Sequence, residues 1–152
     1  MAILNIVKFG DDLLRKRCRP IDEITPKIKT LIDDMIETMR KADGCGLAAP
    51  QVGILRRLAV IEAEEGVVHV LINPEIVKRE GEEEEVEGCL SNPGKWGYVK
   101  RPAKVTLRAL DRDGVPYEIE AEGLLCRAIC HECDHLDGKL YTDFQTKPYI
   151  PD

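Results

Sequence analysis

The chain has 152 residues, a formal net charge of −6 and 43% hydrophobic residues, enough for one domain, 1–152, with an enclosed core. Its acidic balance argues against a nucleic-acid surface, and no apolar run approaches the roughly 20 residues needed to span a bilayer. The amino terminus, Met1-Ala2-Ile3-Leu4-Asn5, lacks a basic stretch followed by an apolar one, so a cytoplasmic location is expected.

Thr25-Pro26 reads as an N-cap followed by proline at the first helical position. Ile28, Leu31, Ile32, Met35, Ile36 and Met39 then keep helical spacing until Gly44 stops the pattern, which predicts an amphipathic helix packed by one face. From about residue 58 to 120 the pattern shifts to short alternating or β-rich runs, 58–61, 67–72, 104–110 and 117–120, separated by Glu-Gly, Asn-Pro and Asp-Gly turns. These predict antiparallel sheet. Six glutamates fall between residues 80 and 87, and this acidic run reads as a solvated turn between strands. A second helix is expected from Glu122-Gly123 to a glycine stop at Gly138.

That second helix carries Cys130-His131-Glu132-Cys133-Asp134-His135-Leu136-Asp137-Gly138. At about 100° per residue, Leu124, Arg127, Ala128, His131 and His135 share one side, and Cys126, Cys130, Cys133 and Asp137 share the other. The two imidazoles, four residues apart, project from one face and can hold a single metal ion with Glu132 beside it. A catalytic site of this type uses three protein ligands and keeps one position for water or substrate. Downstream, Tyr141 stands where one large protease class has a histidine, and only Asp137, Asp143 and Asp152 offer carboxylates. The third ligand is therefore expected upstream. His69 lies in an alternating run that reads as strand, whereas Cys89 lies among glycines and a proline, where the backbone can turn and project a thiolate. Six cysteines without a secretion signal read as reduced thiols. Cys130 and Cys133 form a C-x-x-C, but they face away from the histidines and read as small buried hydrophobes. Cys18 and Cys45 show no partner signal.

Gly44-Cys45-Gly46-Leu47-Ala48-Ala49-Pro50-Gln51, Glu87-Gly88-Cys89-Leu90-Ser91 and His131-Glu132-Cys133-Asp134-His135-Leu136-Asp137-Gly138 resemble, in order and spacing, the three signature motifs of the peptide deformylase family. The resemblance spans nearly the whole chain. The family most often has glutamine before the first metal-binding histidine, where this chain has Cys130. It usually has an aliphatic residue after the second motif's serine, where this chain has Asn92.

The resemblance implies an α+β fold, with antiparallel β-sheets packed around a central helix that carries the H-E-x-x-H motif and a second amphipathic helix near the N-terminus. It implies removal of the N-formyl group from the formylmethionine of newly synthesised polypeptides, with release of formate. One divalent metal ion is expected on Cys89, His131 and His135: Fe2+ in the cell, with Zn2+, Ni2+ or Co2+ in preparations. It would lower the pKa of a bound water, whose proton Glu132 would take and later deliver to the leaving amine. The side-chain amide of Gln51 and the backbone N–H of Leu90 are implied as oxyanion donors, and Glu87 and Arg101 as a pair that fixes the loop carrying Cys89.

Gly44, Gly46 and Gly88 would leave room for an extended peptide added as a strand. Leu124, Arg127 and Ala128 are expected to floor the cavity for methionine, with Cys45 and Leu47 opposite and the Arg127 charge reaching solvent. The expected partners are N-formylmethionyl nascent chains at the ribosome, with no nucleic acid and no membrane, and a monomer is expected. Other classes remain. A zinc-type metallopeptidase would need an open cleft and a downstream third ligand; against a catalytically silent metal-binding relative, Gln51, Cys89 and Glu132 are all present, and a small binding module would not need this full set.

Overall fold

Thr25 caps the first helix, α1 (Pro26–Lys41), by accepting a hydrogen bond from the Ile28 N–H, and Pro26 occupies the first turn, where an N–H would lack a partner anyway. Of the predicted stripe, Ile32, Met35 and Met39 are buried and Ile28, Leu31 and Ile36 half-buried; Thr38, outside it, is buried as well. The computed structural model describes residues 2–151; Asp152, weighed above as a downstream carboxylate, lies outside them.

Eight strands form two sheets whose pairs are all antiparallel. β1 (Gly46–Ala48), β2 (Leu58–Glu64), β3 (Val67–Glu80), β6 (Lys104–Leu110) and β7 (Pro116–Glu122) make a five-stranded sheet in the order β1-β2-β3-β6-β7. β4 (Glu83–Gly88), β5 (Trp96–Arg101) and β8 (Gln145–Tyr149) make a three-stranded one in the order β4-β5-β8. The second helix, α2 (Gly123–Leu136), runs between them.

Side-chain alternation along β2 shows how the core is layered. Leu58 and Val60 join Ile32, Met35 and Met39 of α1 in one cluster, while Ala59 and Ile61 join Ala128 and Ile129 of α2 in another. Both faces of β2 are covered, which is why residues 58–61 are apolar without interruption. The cysteine stripe of α2 belongs to the second cluster, as the helical phase predicts. Burial pushes the Cys130 thiol up to about 12, so it stays protonated. The helix closes at Gly138, whose φ of +76° and close approach to the Arg15 carbonyl both exclude a Cβ.

The acidic run departs from its expected role. Only Gly81 and Glu82 turn; Glu80 ends β3, and residues 83–88 form β4. Backbone pairing to β5 puts Glu83 opposite Arg101 and Glu84 opposite Lys100, a register that no hydrophobic period in the acidic run reveals. β1, β5 and β8 also lie outside the runs read as strand. Among the described residues no helix is long and apolar enough to cross a membrane.

Candidate active site

α2 is the frame of the site. His131, Glu132 and His135 are all buried on it, and the turn after β4 brings Cys89 over the same face. His131 Nδ1 lies 2.9 Å from Glu87 Oε1, which leaves Nε2 free to face the cavity. His135 Nε2 lies 3.3 Å from Cys89 Sγ. One ligand atom from each of Cys89, His131 and His135 falls within 4.8 Å of the other two. A thiolate and two imidazoles, brought this close, form a donor set suited to iron, zinc, cobalt or nickel. Two buried atoms beside it, Glu132 Oε1 and His135 Nδ1, have no hydrogen-bond partner in the protein. His69 sits across the five-stranded sheet, opposite Ile61, and takes no part.

Glu87 organises the supporting layer. Arg101 grips it with two hydrogen bonds, Nε to Oε2 at 2.8 Å and Nη2 to Oε1 at 3.0 Å, and also pairs with Asp134 of α2. Arg127 adds a third guanidinium bond to Oε2 at 2.7 Å and donates to the carbonyls of Val99 and Glu83. Burial would raise the Glu87 carboxyl, but hydrogen bonds from His131 and Arg101 outweigh it and hold the group at about 2. Burial would likewise lower His131, yet the Cys89 sulfur and the carboxylates of Glu132 and Glu87 keep it well above its ordinary value. His135, with no carboxylate partner, is pushed well below by burial and by the charge on His131. Burial pushes Glu132 up to about 7. A carboxyl near neutrality is suited to moving protons both ways.

His131, Glu132 and Cys89 open onto a cavity of about 580 Å³. Leu124, Ala128 and Cys45 line it as expected, and so does the stem of Arg127. Two expectations fail. The Arg127 head does not reach solvent: Glu87 and two backbone carbonyls draw it inward, and the residue is 8% exposed. Leu47 is not a facing wall; alternation along β1 turns it into the α1 cluster. Gly44, Gly46 and Gly88 all line the cavity. A Cβ on Gly44 would also strike the Leu90 side chain, one on Gly46 the Glu132 carboxylate, and one on Gly88 the Trp96 indole.

Gln51 is 1% exposed, its Oε1 accepts from the Ala48 N–H, and its Nε2 donates to Ser91 Oγ at 3.0 Å and lies 3.5 Å from Cys89 Sγ. Leu90 lines the cavity next to it. Ser91, Tyr141 and Asp134 were not singled out as site residues. Ser91 lies inside the second motif, which offered a signal; Tyr141, packed against the His131 ring, offered none.

Three side chains able to hold a metal ion, on a buried helix and an adjoining turn with a carboxyl near neutrality beside them, are the kind of site found in metal-dependent hydrolases. The chain belongs to the polypeptide deformylase family, whose model matches residues 3–148. It is 57% identical over 143 residues to the peptide deformylase of Agathobacter rectalis, covering 94% of this chain and 90% of that protein. It is also 57% identical over 143 residues to peptide deformylase 1 of Clostridium acetobutylicum, covering 94% and 95%. Among solved structures, a peptide deformylase from Legionella pneumophila superposes with a TM-score of 0.92 at 46% identity, over 95% of this chain and 86% of that one. One from Synechococcus elongatus in complex with actinonin also gives 0.92, at 43% identity over 95% and 79%.

Proposed function

We propose that this chain acts as a single catalytic domain that removes the formyl group from the N-terminal formylmethionine of nascent polypeptides and releases formate. The observation that carries this reading is the convergence of Cys89, His131 and His135 beside a buried Glu132 that lacks a partner on one oxygen. A divalent cation held by those three residues, ferrous iron in the cell, would supply Lewis acidity that brings a water's pKa towards neutrality.

Glu132, held near neutrality by burial, accepts the proton of the attacking water and returns one to the amine as the amide breaks. Gln51 and the Leu90 N–H steady the negative oxygen that forms on the formyl carbon. Gln51 keeps its bond to Ser91 and gives up only the longer contact to sulfur when it does so. Glu87 holds the ring of His131, and Arg101 and Arg127 hold Glu87. The free edges of β1 and β4 border the cavity, so an extended peptide can enter between them, with main-chain hydrogen bonds tolerating many sequences and the cavity selecting methionine. The protein works as a monomer in the cytoplasm on chains emerging from the ribosome.

The test is formate release from formyl-Met-Ala-Ser by anaerobically purified protein loaded in turn with ferrous iron, nickel and cobalt. Formate with at least one of them is expected. No formate with any, or cleavage of casein instead, would overturn the reading.

A further inference from the structure

Asn92 directly follows the second motif, and the structure gives it a partner. Its Nδ2 donates to the Tyr141 hydroxyl at 2.9 Å, and that hydroxyl reaches the Lys95 carbonyl at 3.4 Å. Both ends of the segment from Asn92 to Lys95 are thus tied to one phenol oxygen. Tyr141 is 2% exposed, and its ring lies 6.0 Å from that of His131 at an interplanar angle of 24°. On its other side Phe9 packs at 5.8 Å, and the Phe9 N–H donates to the Ser91 carbonyl at 2.8 Å. The Asn92 N–H closes the turn back to the Cys89 carbonyl at 2.9 Å. The same residue therefore shapes the turn that presents Cys89 and fastens that turn to a ring stacked on His131. An aliphatic side chain at position 92 would leave the buried phenol with the Lys95 carbonyl alone.

We propose that Asn92 and Tyr141 form a positioning clamp that sets the Cys89 sulfur relative to His131, and so governs how long the centre retains its metal. The clamp rests on the deformylase reading of the site, since it acts on two of the three residues assigned there as ligands. Neither residue touches substrate through the contacts that define the clamp. Their effect travels through the turn and the ring, in the manner of outer residues that orient metal ligands.

The experiment uses the full chain loaded with cobalt(II) and compares wild type, Asn92→Val, Tyr141→Phe and the double variant. Cobalt release to a chelator and the thiolate-to-cobalt absorption band are read alongside kcat and KM. Each single variant is expected to release cobalt about tenfold faster, in the range usual for loss of such outer partners, and to shift the absorption band. The double variant should release it no faster than the quicker single one, because both changes break the same hydrogen bond. The loss in kcat/KM should appear in kcat. Asn92 is only half-buried on a turn, so Asn92→Val keeps the comparison open if Tyr141→Phe fails to fold.

Unchanged release and an unshifted band in Asn92→Val, or additive effects in the double variant, would overturn the clamp while leaving deformylation standing. Wild-type protein that neither holds cobalt nor yields formate would overturn both.

Discussion

Two glutamates act on His131 and titrate far apart: hydrogen bonds hold Glu87 at about 2, while burial pushes Glu132 up to about 7. Separated values of this kind divide the labour, with a permanent charge that orients and a carboxyl that exchanges protons. Glu132→Gln keeps the shape and loses the exchange. It should retain metal and lose turnover by about 10²-fold or more, measured as formate release against metal content. Equal turnover would require another base. Gly46 tests the same carboxylate by position instead of charge. A Cβ there would collide with Glu132 Oε2, so Gly46→Ala should cut kcat roughly 10- to 100-fold with metal content unchanged, as expected for a misplaced catalytic group. If kcat were preserved, the collision would have to relax into the cavity without moving the carboxylate from its working place.

At the scale of elements, β4, β5 and α2 meet through Glu87, Arg101, Asp134 and Arg127, and the two arginines are not equivalent. Arg101→Met leaves both Glu87 and Asp134 short of their main partner and should destabilise the fold by about 3–5 kcal/mol in urea titrations. Arg127→Met leaves Glu87 still gripped by Arg101 and should cost about 1–3 kcal/mol. A reversed order would show that the brace runs through Arg127. The helices, β6, β7 and the first half of β3 were legible in the sequence from their hydrophobic period, and β2 from an uninterrupted apolar run covered on both faces. β4 was not, since its residues are mostly acidic and carry no hydrophobic period. β1 is only three residues long, too short for a period. The convergence of Cys89, His131 and His135 was legible from motif spacing. The course of Arg127 was not, because helical phase fixes where a Cβ points and not where a long side chain finds its acceptors. Nothing in the spacing of Asn92 and Tyr141, 49 positions apart, announces their hydrogen bond.

For the whole molecule, the signs of these shifts combine into a pH dependence that metal should reverse. The folded value of Glu87 is depressed from 4.5, so its contribution is present above about pH 4.5 and is lost as pH falls towards 2. Glu132 is raised from 4.5 to about 7, so the folded state holds its proton more tightly, and that contribution is lost as pH rises through 7. His131 is raised above 6.5 and behaves in the same sense, its contribution fading as pH climbs through its folded value. His135, depressed below 6.5, acts in the opposite sense and adds stability as pH rises towards 6.5, so metal-free protein should lose stability only above about pH 6.5. A metal held by the proposed ligands would need His131 neutral, so its binding would expel a proton and tighten as pH rises. Its stabilising effect grows with the ratio of free metal to Kd, by about 1.4 kcal/mol for each tenfold gain in affinity. The difference in thermal midpoint between cobalt-loaded and chelated protein should accordingly widen from about pH 6 to about pH 8. Glu132→Gln, which has no carboxyl to titrate there, should flatten the metal-free slope while leaving the widening largely in place. Scanning calorimetry of both proteins with and without chelator measures this, and a difference that narrows with pH would mean that His131 does not give up a proton to the metal.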